Sequence, residues 1–259
     1  MGTALVTGAS AGIGRAFCSE LAERGHDLVL VARDRVRLEN LSDEIQARYA
    51  VRVEILVADL ADRSHVQRVA ERLADPHRPV DLLVNNAGFG LSRPILDGDL
   101  AEEERALDVL CRAVLVLSHA AGRAMRSRGR GAIINVSSVA GFFAESSYSA
   151  AKAWATTFSE ALSGQLSGTG VTVTALCPGL THTEFHERGG FDQDAMSSVP
   201  EALWLDADRL VRDCLDDVSA GKVISVPGAP YKAAVALTRV IPRSLMRRGA
   251  ASVGRTRRR

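Results

Sequence analysis

The sequence predicts an α/β fold in which a doubly wound parallel sheet of about seven strands forms a single domain. Short apolar runs alternate along the chain with stretches of helical periodicity, which is the pattern of successive βαβ units. A glycine-rich turn follows the first of these runs. The length of 259 residues suits one large α/β domain and is too short for two catalytic domains and a linker.

Apolar runs mark the predicted strands. The run at 28–32 is apolar throughout, as expected for a strand buried on both faces. The run at 51–57 alternates with Arg52 and Glu54 and is therefore predicted nearer an edge of the sheet. The predicted strands are 4–6, 28–32, 51–57, 82–84, 132–136, 171–176 and 223–226. Apolar residues at helical spacing predict helices between most of them, first at Ile13, Phe17 and Leu21, and then at Leu38, Leu41, Ile45 and Tyr49.

Composition excludes several classes of protein. Apolar residues make up 46% of the chain and charged residues 24%, which is typical of a globular domain and not of a disordered chain. The four cysteines are widely spaced and show no metal-ligand spacing, so we expect reduced thiols, a cytoplasmic location and no metal. We also expect a soluble protein, because no run approaches about 18 apolar residues.

The C-terminal region differs in charge from the rest of the chain. Residues 218–259 contain ten Lys or Arg and no Asp or Glu, and removing ten charges from the net +1 leaves −9 for the first 217 residues. Two interpretations of the tail, about 230–259, stay open: a basic amphipathic segment on an anionic membrane surface, or a solvated or subunit-packing tail. Its prolines argue against one uninterrupted helix: Pro227, Pro230 and Pro242. Nucleic-acid binding is not expected, because the body is acidic.

The turn after the first predicted strand has the chemistry of a dinucleotide site. It reads Thr7-Gly8-Ala9-Ser10-Ala11-Gly12-Ile13-Gly14. Glycines there let backbone amides approach a pyrophosphate, and the N–H groups and dipole of the following helix favour its negative charge. The alternative is an ordinary tight turn between a strand and a helix.

This GxxxGxG spacing resembles the glycine motif of the short-chain dehydrogenase/reductase family, which reads TGxxxGxG. Further motifs follow in family order between about Gly2 and Val226: Asp59-Leu60, Asn85-Asn86-Ala87-Gly88, Ser138, Tyr148-x-x-x-Lys152 and Pro178-Gly179. The resemblance implies a Rossmann-like sheet in the order 3-2-1-4-5-6-7, a nicotinamide cofactor, and a homodimer or homotetramer. The cofactor contacts that it implies are Gly8, Ser10, Gly12, Ile13, Gly14, Asp59, Asn86, Gly88, Tyr148, Lys152, Pro178, Gly179 and Thr183.

Within that set, Asp59 is expected at the adenine ring, Asn86 and Gly88 on the adenosine side, and Thr183 at the carboxamide of the nicotinamide. For Asn86, an equally open reading is that its side chain pins neighbouring strands through backbone hydrogen bonds.

The end of the second strand favours NADP (NADPH) over NAD. A carboxylate there would bind the ribose 2′-hydroxyl of NAD, whereas an arginine attracts the 2′-phosphate of NADP. The sequence places Ala32 and then Arg33 at this point, followed by Asp34. The alternative is that Arg33 is only a solvated residue at a helix start.

Tyr148 and Lys152 are the candidate proton-transfer pair. They are four residues apart and so lie on one face of a helix. An ammonium within about 4–6 Å is expected to lower the pKa of a tyrosine from about 10 toward neutrality. By the resemblance, Ser138 hydrogen-bonds the substrate carbonyl, Ser137 is structural, and Lys152 also binds the ribose hydroxyls of the nicotinamide.

The chain departs from the family pattern in two ways. The family usually has an asparagine, which helps hold a proton-relay water, at the position of Leu110 in the register Asp108-Val109-Leu110-Cys111. Leucine can neither donate nor accept, so turnover could be slow or absent. Ser138 also precedes Tyr148 by ten residues where about thirteen is commoner, so Ser146 or Ser147 could take the serine role.

Residues 180–205 are predicted to form a lid over the substrate. Apolar residues in it suggest an apolar or acyl-chain carbonyl, although they could simply pack on the core: Phe185, Phe191, Met196, Val199, Leu203 and Trp204. Gly189 and Gly190 could hinge this lid. His182 and His186 have no evident third ligand, so no metal site is expected.

Two functions follow from these observations. The first is an NADP-dependent carbonyl reductase, or alcohol dehydrogenase in reverse, acting on a small-molecule carbonyl or alcohol with Ser138, Tyr148 and Lys152 as catalytic residues. The second is a nicotinamide-cofactor-binding protein with weak or no catalysis, motivated by Leu110.

Overall fold

The computed structural model of the chain describes residues 2–91, 93–143, 145–190 and 196–238. Its strands are β1 (Thr3–Thr7), β2 (Asp27–Ala32), β3 (Val53–Val57), β4 (Leu82–Asn85), β5 (Gly131–Val136), β6 (Val171–Leu176) and β7 (Ile224–Ser225). They form one seven-stranded parallel sheet in the order β3-β2-β1-β4-β5-β6-β7. The predicted α/β class and the strand order implied by the family resemblance are both confirmed.

The two edges of the sheet refine the sequence prediction. β3 lies at one edge, as its alternating pattern predicts, but it begins at Val53 and not at Val51. β7 forms the other edge and has only two residues where four were predicted, because only Ile224 and Ser225 pair with β6. Short edge strands offer little unpaired backbone to other chains.

Helices connect the strands and cover both faces of the sheet. They are α1 (Gly12–Glu23), α2 (Arg35–Arg48), α3 (Arg63–Ala74), α4 (Leu100–Leu107), α5 (Val114–Arg128), α6 (Ser147–Gln165), α7 (Phe185–Arg188), α8 (Ala207–Ser219) and α9 (Ala229–Thr238). A π-helical segment, Asp108–Ala113, joins α4 to α5. Two short 3₁₀ turns lie at Val139–Phe142 and Glu201–Leu203.

The core consists of two apolar layers, one on each side of the sheet. On one side, Phe17 of α1, Leu41 of α2 and Val211 of α8 pack against the strands. On the other side, Val69 of α3 and Leu117 of α5 do the same. With both faces covered, the central strands carry apolar side chains in both directions, and the carboxyl ends of the strands are left to hold polar groups.

A buried polar chain crosses the centre of the sheet. Asn85 and Asn135 are aligned residues of β4 and β5, and the Asn85 amide donates to Oδ1 of Asn135 at 2.9 Å. Asn85 Nδ2 also donates to Ser118 Oγ of α5 at 3.0 Å, and Asn135 Nδ2 donates to Ser159 Oγ of α6 at 2.9 Å. All four residues are buried. The chain therefore links two neighbouring strands to the helices on that side.

The start of the basic tail is a helix that belongs to the core. α9 begins next to Pro230, whose missing N–H is harmless in a first helical turn. Val235 is buried against Ala175 and Cys177, whereas Leu237 is exposed. Residues 239–259 lie outside the described residues, so both interpretations of the tail stay predictions. Among the helices that the structure describes, none is long and apolar enough to cross a membrane.

Candidate active site

The glycine turn between β1 and α1 has the backbone geometry that its sequence predicts. Gly8 and Gly12 have φ values of +65° and +52°, a region that favours glycine. A Cβ on Gly14 would collide with the Gly8 carbonyl oxygen and the Asn86 amide. Ser10 lies in the same turn, and Ile13 in the first turn of α1. α1 has no side-chain cap, so its first N–H groups face the turn without a side-chain acceptor.

Asn86 holds this turn in place from β4. Its Nδ2 donates to the carbonyl oxygens of Thr7 at 2.9 Å and Gly8 at 3.3 Å. In return, the Thr7 hydroxyl accepts from the backbone N–H groups of Asn86 and Ala87 at 2.9 and 3.0 Å. The structure therefore shows the pinning role for Asn86, while its contact with adenosine stays a prediction.

The predicted 2′-phosphate corner lies where β2 ends and α2 begins. Arg33 is exposed and forms no ion pair with any residue in the described ranges. Asp34 is occupied as the N-cap of α2, because its Oδ1 accepts from the backbone N–H of Arg37 at 3.1 Å. The Arg37 guanidinium also lies 3.6 Å from the Asp34 carboxylate. The one carboxylate next to Arg33 is thus engaged by the helix and by a second arginine.

Asp59, expected at the adenine ring, lies beyond the end of β3 and has protein partners. Its Oδ2 accepts from Arg105 of α4 at 2.6 Å, and its Oδ1 accepts from the Ala61 backbone at 3.0 Å. Its backbone N–H donates to Nδ1 of His65. Arg105 is therefore part of this predicted subsite, although it lies 46 positions from Asp59 in the sequence.

The structure brings Ser138 to Tyr148 despite the short connection between them. The loop after β5 folds into the 3₁₀ turn Val139–Phe142, with Ser138 as its N-cap. At Gly141 the turn lies so close to α6 that a Cβ would come within 2.8 Å of the Ala153 nitrogen. The Ser138 hydroxyl lies close enough to the Tyr148 phenol to lower its pKa, against the larger effect of burial. Because Gly141 has no side chain, the turn can pack directly on α6. This close packing is compatible with the short spacing of ten residues from Ser138 to Tyr148.

The alternative serines have other roles. Ser146 is the N-cap of α6, where its hydroxyl accepts from the Ser149 backbone at 3.2 Å. The Ser149 hydroxyl accepts from the Ser146 N–H at 2.9 Å, which completes a capping box. Ser146 is thus engaged in capping α6, and which of Ser138, Ser146 and Ser147 meets the substrate stays a prediction. Ser137 is buried and donates to the Lys152 carbonyl at 2.7 Å, as a structural residue would.

Lys152 is buried beside the tyrosine. Its side chain is only 5% exposed, and its Nζ donates to the Val136 carbonyl at 2.7 Å and lies 5.6 Å from the centroid of the Tyr148 ring. Burial lowers the pKa of Lys152 to about 8, against the smaller opposing effects of Cys111 and Cys177. The amine is thus mostly protonated at pH 7 and titrates just above it.

The pKa of Tyr148 shifts in the direction opposite to the sequence-based expectation. Burial raises the pKa of the phenol above its ordinary value of 10, and the hydrogen bond with Ser138 opposes this rise only in part. Desolvation penalises the phenolate more than the surrounding groups stabilise it. The expectation of a lowered pKa is wrong for this structure, in which Tyr148 is a protonated acid at neutral pH.

Leu110 occupies the interior of the π-helical segment and points at the site. It is 2% exposed, and a Cβ on Gly88 would meet its Cδ2 at 2.9 Å and Lys152 Nζ at 3.8 Å. Leu110 also packs with Ala106 and Ala151 in an apolar cluster that Tyr148 borders. A π segment often marks a functional site. Here it places an apolar side chain beside the buried amine.

The predicted lid, residues 180–205, follows Pro178 and Gly179 and is contacted by Tyr231 of α9. A Cβ on Gly179 would run into the Tyr231 ring, so this position requires glycine. The Tyr231 hydroxyl donates to the Leu203 carbonyl at 2.6 Å and accepts from the Leu180 N–H at 3.1 Å. Tyr231 thereby joins both ends of the predicted lid, and no sequence motif signals it.

Three consecutive lid residues reach three parts of the site. Thr183 lies over the glycine turn, 3.1 Å from where a Gly12 Cβ would be. Glu184 accepts from the Arg37 guanidinium at 3.1 and 3.3 Å. The Phe185 and Tyr148 rings pack at 5.8 Å between centroids.

Elsewhere in the lid, His182 Nε2 lies 2.8 Å from Glu201 Oε1 and its ring stacks on Trp204. The side chain of His186 is not among those described, and Phe191 lies outside the described residues. Across the described residues, no group of three metal-ligating side chains forms.

Comparison with known proteins agrees with this geometry. The profile of the short chain dehydrogenase family matches residues 2–193, which include the glycine turn, Ser138 and the Tyr148–Lys152 pair. The chain belongs to the short-chain dehydrogenase family. It is therefore an oxidoreductase of a family that binds a nicotinamide cofactor. This confirms the family resemblance and the enzyme class predicted from the motifs.

Relatives of the short-chain dehydrogenase family cover most of the chain. It is 38% identical over 201 residues to sulfoacetaldehyde reductase 2 of Chromohalobacter salexigens, covering 75% of this chain and 79% of that protein. A short-chain dehydrogenase from Sphingobium yanoikuyae in complex with NADPH has a TM-score of 0.83 and 34% identity, covering 93% and 96% of the two chains. A bulky-bulky ketone specific alcohol dehydrogenase from Comamonas testosteroni has a TM-score of 0.79 and 29% identity, covering 93% and 95%.

Proposed function

We propose that the protein is an NADP-dependent reductase of apolar ketones and aldehydes, with Tyr148 as proton donor. One observation carries this proposal: the partly buried, protonated Tyr148 phenol lies beside the buried amine of Lys152 and close enough to Ser138 for that hydroxyl to oppose the rise in its pKa. The three groups lie near the carboxyl ends of the strands, where ligands bind in open α/β sheets.

The residues present fit a dinucleotide. The glycine turn is a cradle that side chains at Gly8, Gly12 or Gly14 would fill or strain, and the uncapped start of α1 offers N–H groups to a pyrophosphate. Arg33 and Arg37 flank the position expected for a 2′-phosphate, and Asp34 is engaged by α2. The related Sphingobium enzyme in complex with NADPH supports the same preference.

Each catalytic residue has a distinct task in this proposal. When bound, the nicotinamide supplies the hydride. The Ser138 hydroxyl orients the carbonyl oxygen and offers it a hydrogen bond as negative charge develops. Tyr148 donates its phenolic proton to that oxygen, and the Lys152 ammonium stabilises the phenolate that remains. At neutral pH Tyr148 carries its proton, which is the form that donation to the carbonyl oxygen requires.

The surroundings of Tyr148 support an apolar substrate. Its ring packs on Phe185 and borders the cluster of Leu110, Ala106 and Ala151, with Phe89 and Leu91 packed beside it. The ketone specificity in the name of the Comamonas relative agrees with this, whereas the name of the Chromohalobacter relative specifies a small anionic aldehyde. The apolar wall favours the first of these two classes here.

The cofactor preference is tested by comparing kcat/KM for NADPH and NADH. We expect at least about a tenfold preference for NADPH, roughly 1.4 kcal/mol. Arg33→Gln should reduce that preference, and Glu39→Gln, on an exposed face of α2, serves as a control for nonspecific charge effects. Equal or better turnover with NADH would overturn the NADP assignment.

The catalytic assignment is tested by single-turnover oxidation of bound NADPH with ketones, aldehydes and 3-ketoacyl thioesters. We expect apolar ketones to react, and we expect Tyr148→Phe to abolish the reaction while NADPH still binds. The second candidate function, cofactor binding with little catalysis, is motivated by Leu110 beside Lys152. Failure with every apolar substrate, together with tight NADPH binding, would favour that second candidate.

A homo-oligomer is also part of the proposal. Leu107 and Leu115 are about half-exposed on α4 and α5, which supports burial of this face in a partner subunit. Light scattering on the purified chain should give a mass of two or four subunits. A monomer at micromolar concentration would overturn the proposed homo-oligomer.

A further inference from the structure

The ion pair between Arg37 and Glu184 connects the cofactor corner to the lid. It joins residues 147 positions apart in the sequence, the first turn of α2 and the residue before α7. Both oxygens of the Glu184 carboxylate lie within hydrogen-bonding distance of one nitrogen of the Arg37 guanidinium. The two side chains are 45% and 47% exposed, so the pair can exchange partners with a solute.

The same guanidinium lies at the corner proposed for the 2′-phosphate. Arg37 is four residues after Arg33, and its backbone N–H and side chain both meet the cap residue Asp34. A phosphate held there adds up to two negative charges, which attract Arg37 and repel the carboxylate that now holds it. Glu184 and a 2′-phosphate are therefore competitors for one cation.

The structure assigns Glu184 as a cofactor specificity residue: we propose that its carboxylate competes with the 2′-phosphate of NADPH for Arg37 and so restrains the preference for NADPH over NADH. This inference rests on the proposed NADP-dependent function. It gives the lid a role at the adenosine end of the cofactor. The apolar residues of the lid predict only its role at the substrate.

The neighbours of Glu184 explain why the competition matters for the reaction. Thr183 lies against the glycine turn and Phe185 against the ring of the proposed proton donor Tyr148. A change of partner at Glu184 is thus flanked by contacts to the pyrophosphate cradle and to the catalytic phenol. Residues 183–185 therefore contact both the charged corner proposed for the 2′-phosphate and the ring of the proposed proton donor.

The test measures the Kd of NADPH and of NADH by fluorescence titration for the wild type, Glu184→Gln, Arg37→Gln and the double variant. We expect Glu184→Gln to tighten NADPH binding by about twofold to fivefold, the range for one exposed ion pair, and to change NADH binding by less than about 1.5-fold. The gain should shrink in 0.5 M salt, because added ions screen exposed charges. In the Arg37→Gln background, Glu184→Gln should lose at least half of its effect on a logarithmic scale.

Glu201→Gln is the matched control, since it removes an exposed lid carboxylate that pairs with His182 and not with Arg37. Weaker or unchanged NADPH binding in Glu184→Gln would overturn the inference, as would an equal gain for NADH or an equal gain in the control. If the wild type prefers NADPH and Arg33→Gln removes that preference while Glu184→Gln has no effect, only this inference fails. If the wild type shows no preference for NADPH, the proposed cofactor fails first.

Discussion

Raising the pH should slow carbonyl reduction through one buried amine. The pKa of Lys152 is lowered to about 8 by burial, so its protonated fraction falls from roughly nine-tenths at pH 7 to roughly one-tenth at pH 9. If only the ammonium form stabilises the phenolate left by proton donation, the rate should fall about tenfold over this interval. Burial also raises the pKa values of Tyr148, Cys111 and Cys177, so none of these neighbours should ionise first.

The assay is stopped-flow oxidation of NADPH in a single turnover with a saturating apolar ketone, from pH 6 to pH 9.5. Single turnovers keep product release from masking the chemical step. Lys152→Arg is the control, because a guanidinium stays charged throughout this range. We expect the wild-type rate to be level below about pH 7 and to decline around pH 8, and the variant to be slower with a flat profile.

Two results would refute this reasoning. A level wild-type profile to pH 9.5 would mean that the charge on Lys152 does not assist the transfer. The same decline in Lys152→Arg would assign the titration to another group, and the role of the amine would then be limited to binding.

Further substitutions test the packing around the site. Leu110→Asn should lower the free energy of unfolding by about 3 to 5 kcal/mol in a urea titration, because a fully buried leucine is replaced by an amide in an apolar cluster. The turnover of Leu110→Asn should rise if proton supply limits the rate. An unchanged turnover would show that the missing asparagine is not limiting. Leu110→Ala is the control for lost packing. Tyr231→Phe should cost about 1 to 2 kcal/mol in thermal unfolding and raise KM for the ketone more than it lowers kcat, because both hydrogen bonds of its hydroxyl hold the lid. No change in either quantity would contradict the anchoring role.

Local pattern was enough to predict the framework of the site. The apolar runs marked every strand of the sheet, and the glycine turn, Ser138 and the Tyr148–Lys152 pair lie where their order in the chain indicates. These features depend on residues close in sequence or on a fold whose connections are regular. The ends of the edge strands were less predictable, because pairing with a single neighbour decides where they stop.

Features that depend on distant partners could not be predicted in this way. Arg105 reaches Asp59 across 46 residues, and Arg37 reaches Glu184 across 147. The pKa of Tyr148 is a property of its burial, which spacing along one helix does not reveal, so the expectation from Lys152 alone had the wrong sign. A motif identifies the groups that react, whereas the surrounding packing decides their charge.

The amide pair at the centre of the sheet has a consequence for how the chain folds. A parallel strand with apolar side chains on both faces can shift by one residue against its neighbour and still keep its apolar surface buried. Burial of apolar surface alone therefore specifies the register of β4 and β5 only weakly. Asn85 and Asn135 are aligned in this register, and a slip of one strand past the other would break the hydrogen bond between these two buried amides. Losing this buried hydrogen bond raises the free energy of a misaligned sheet. The aligned sheet is therefore favoured, and in it the carboxyl ends of the strands lie together around the reaction centre.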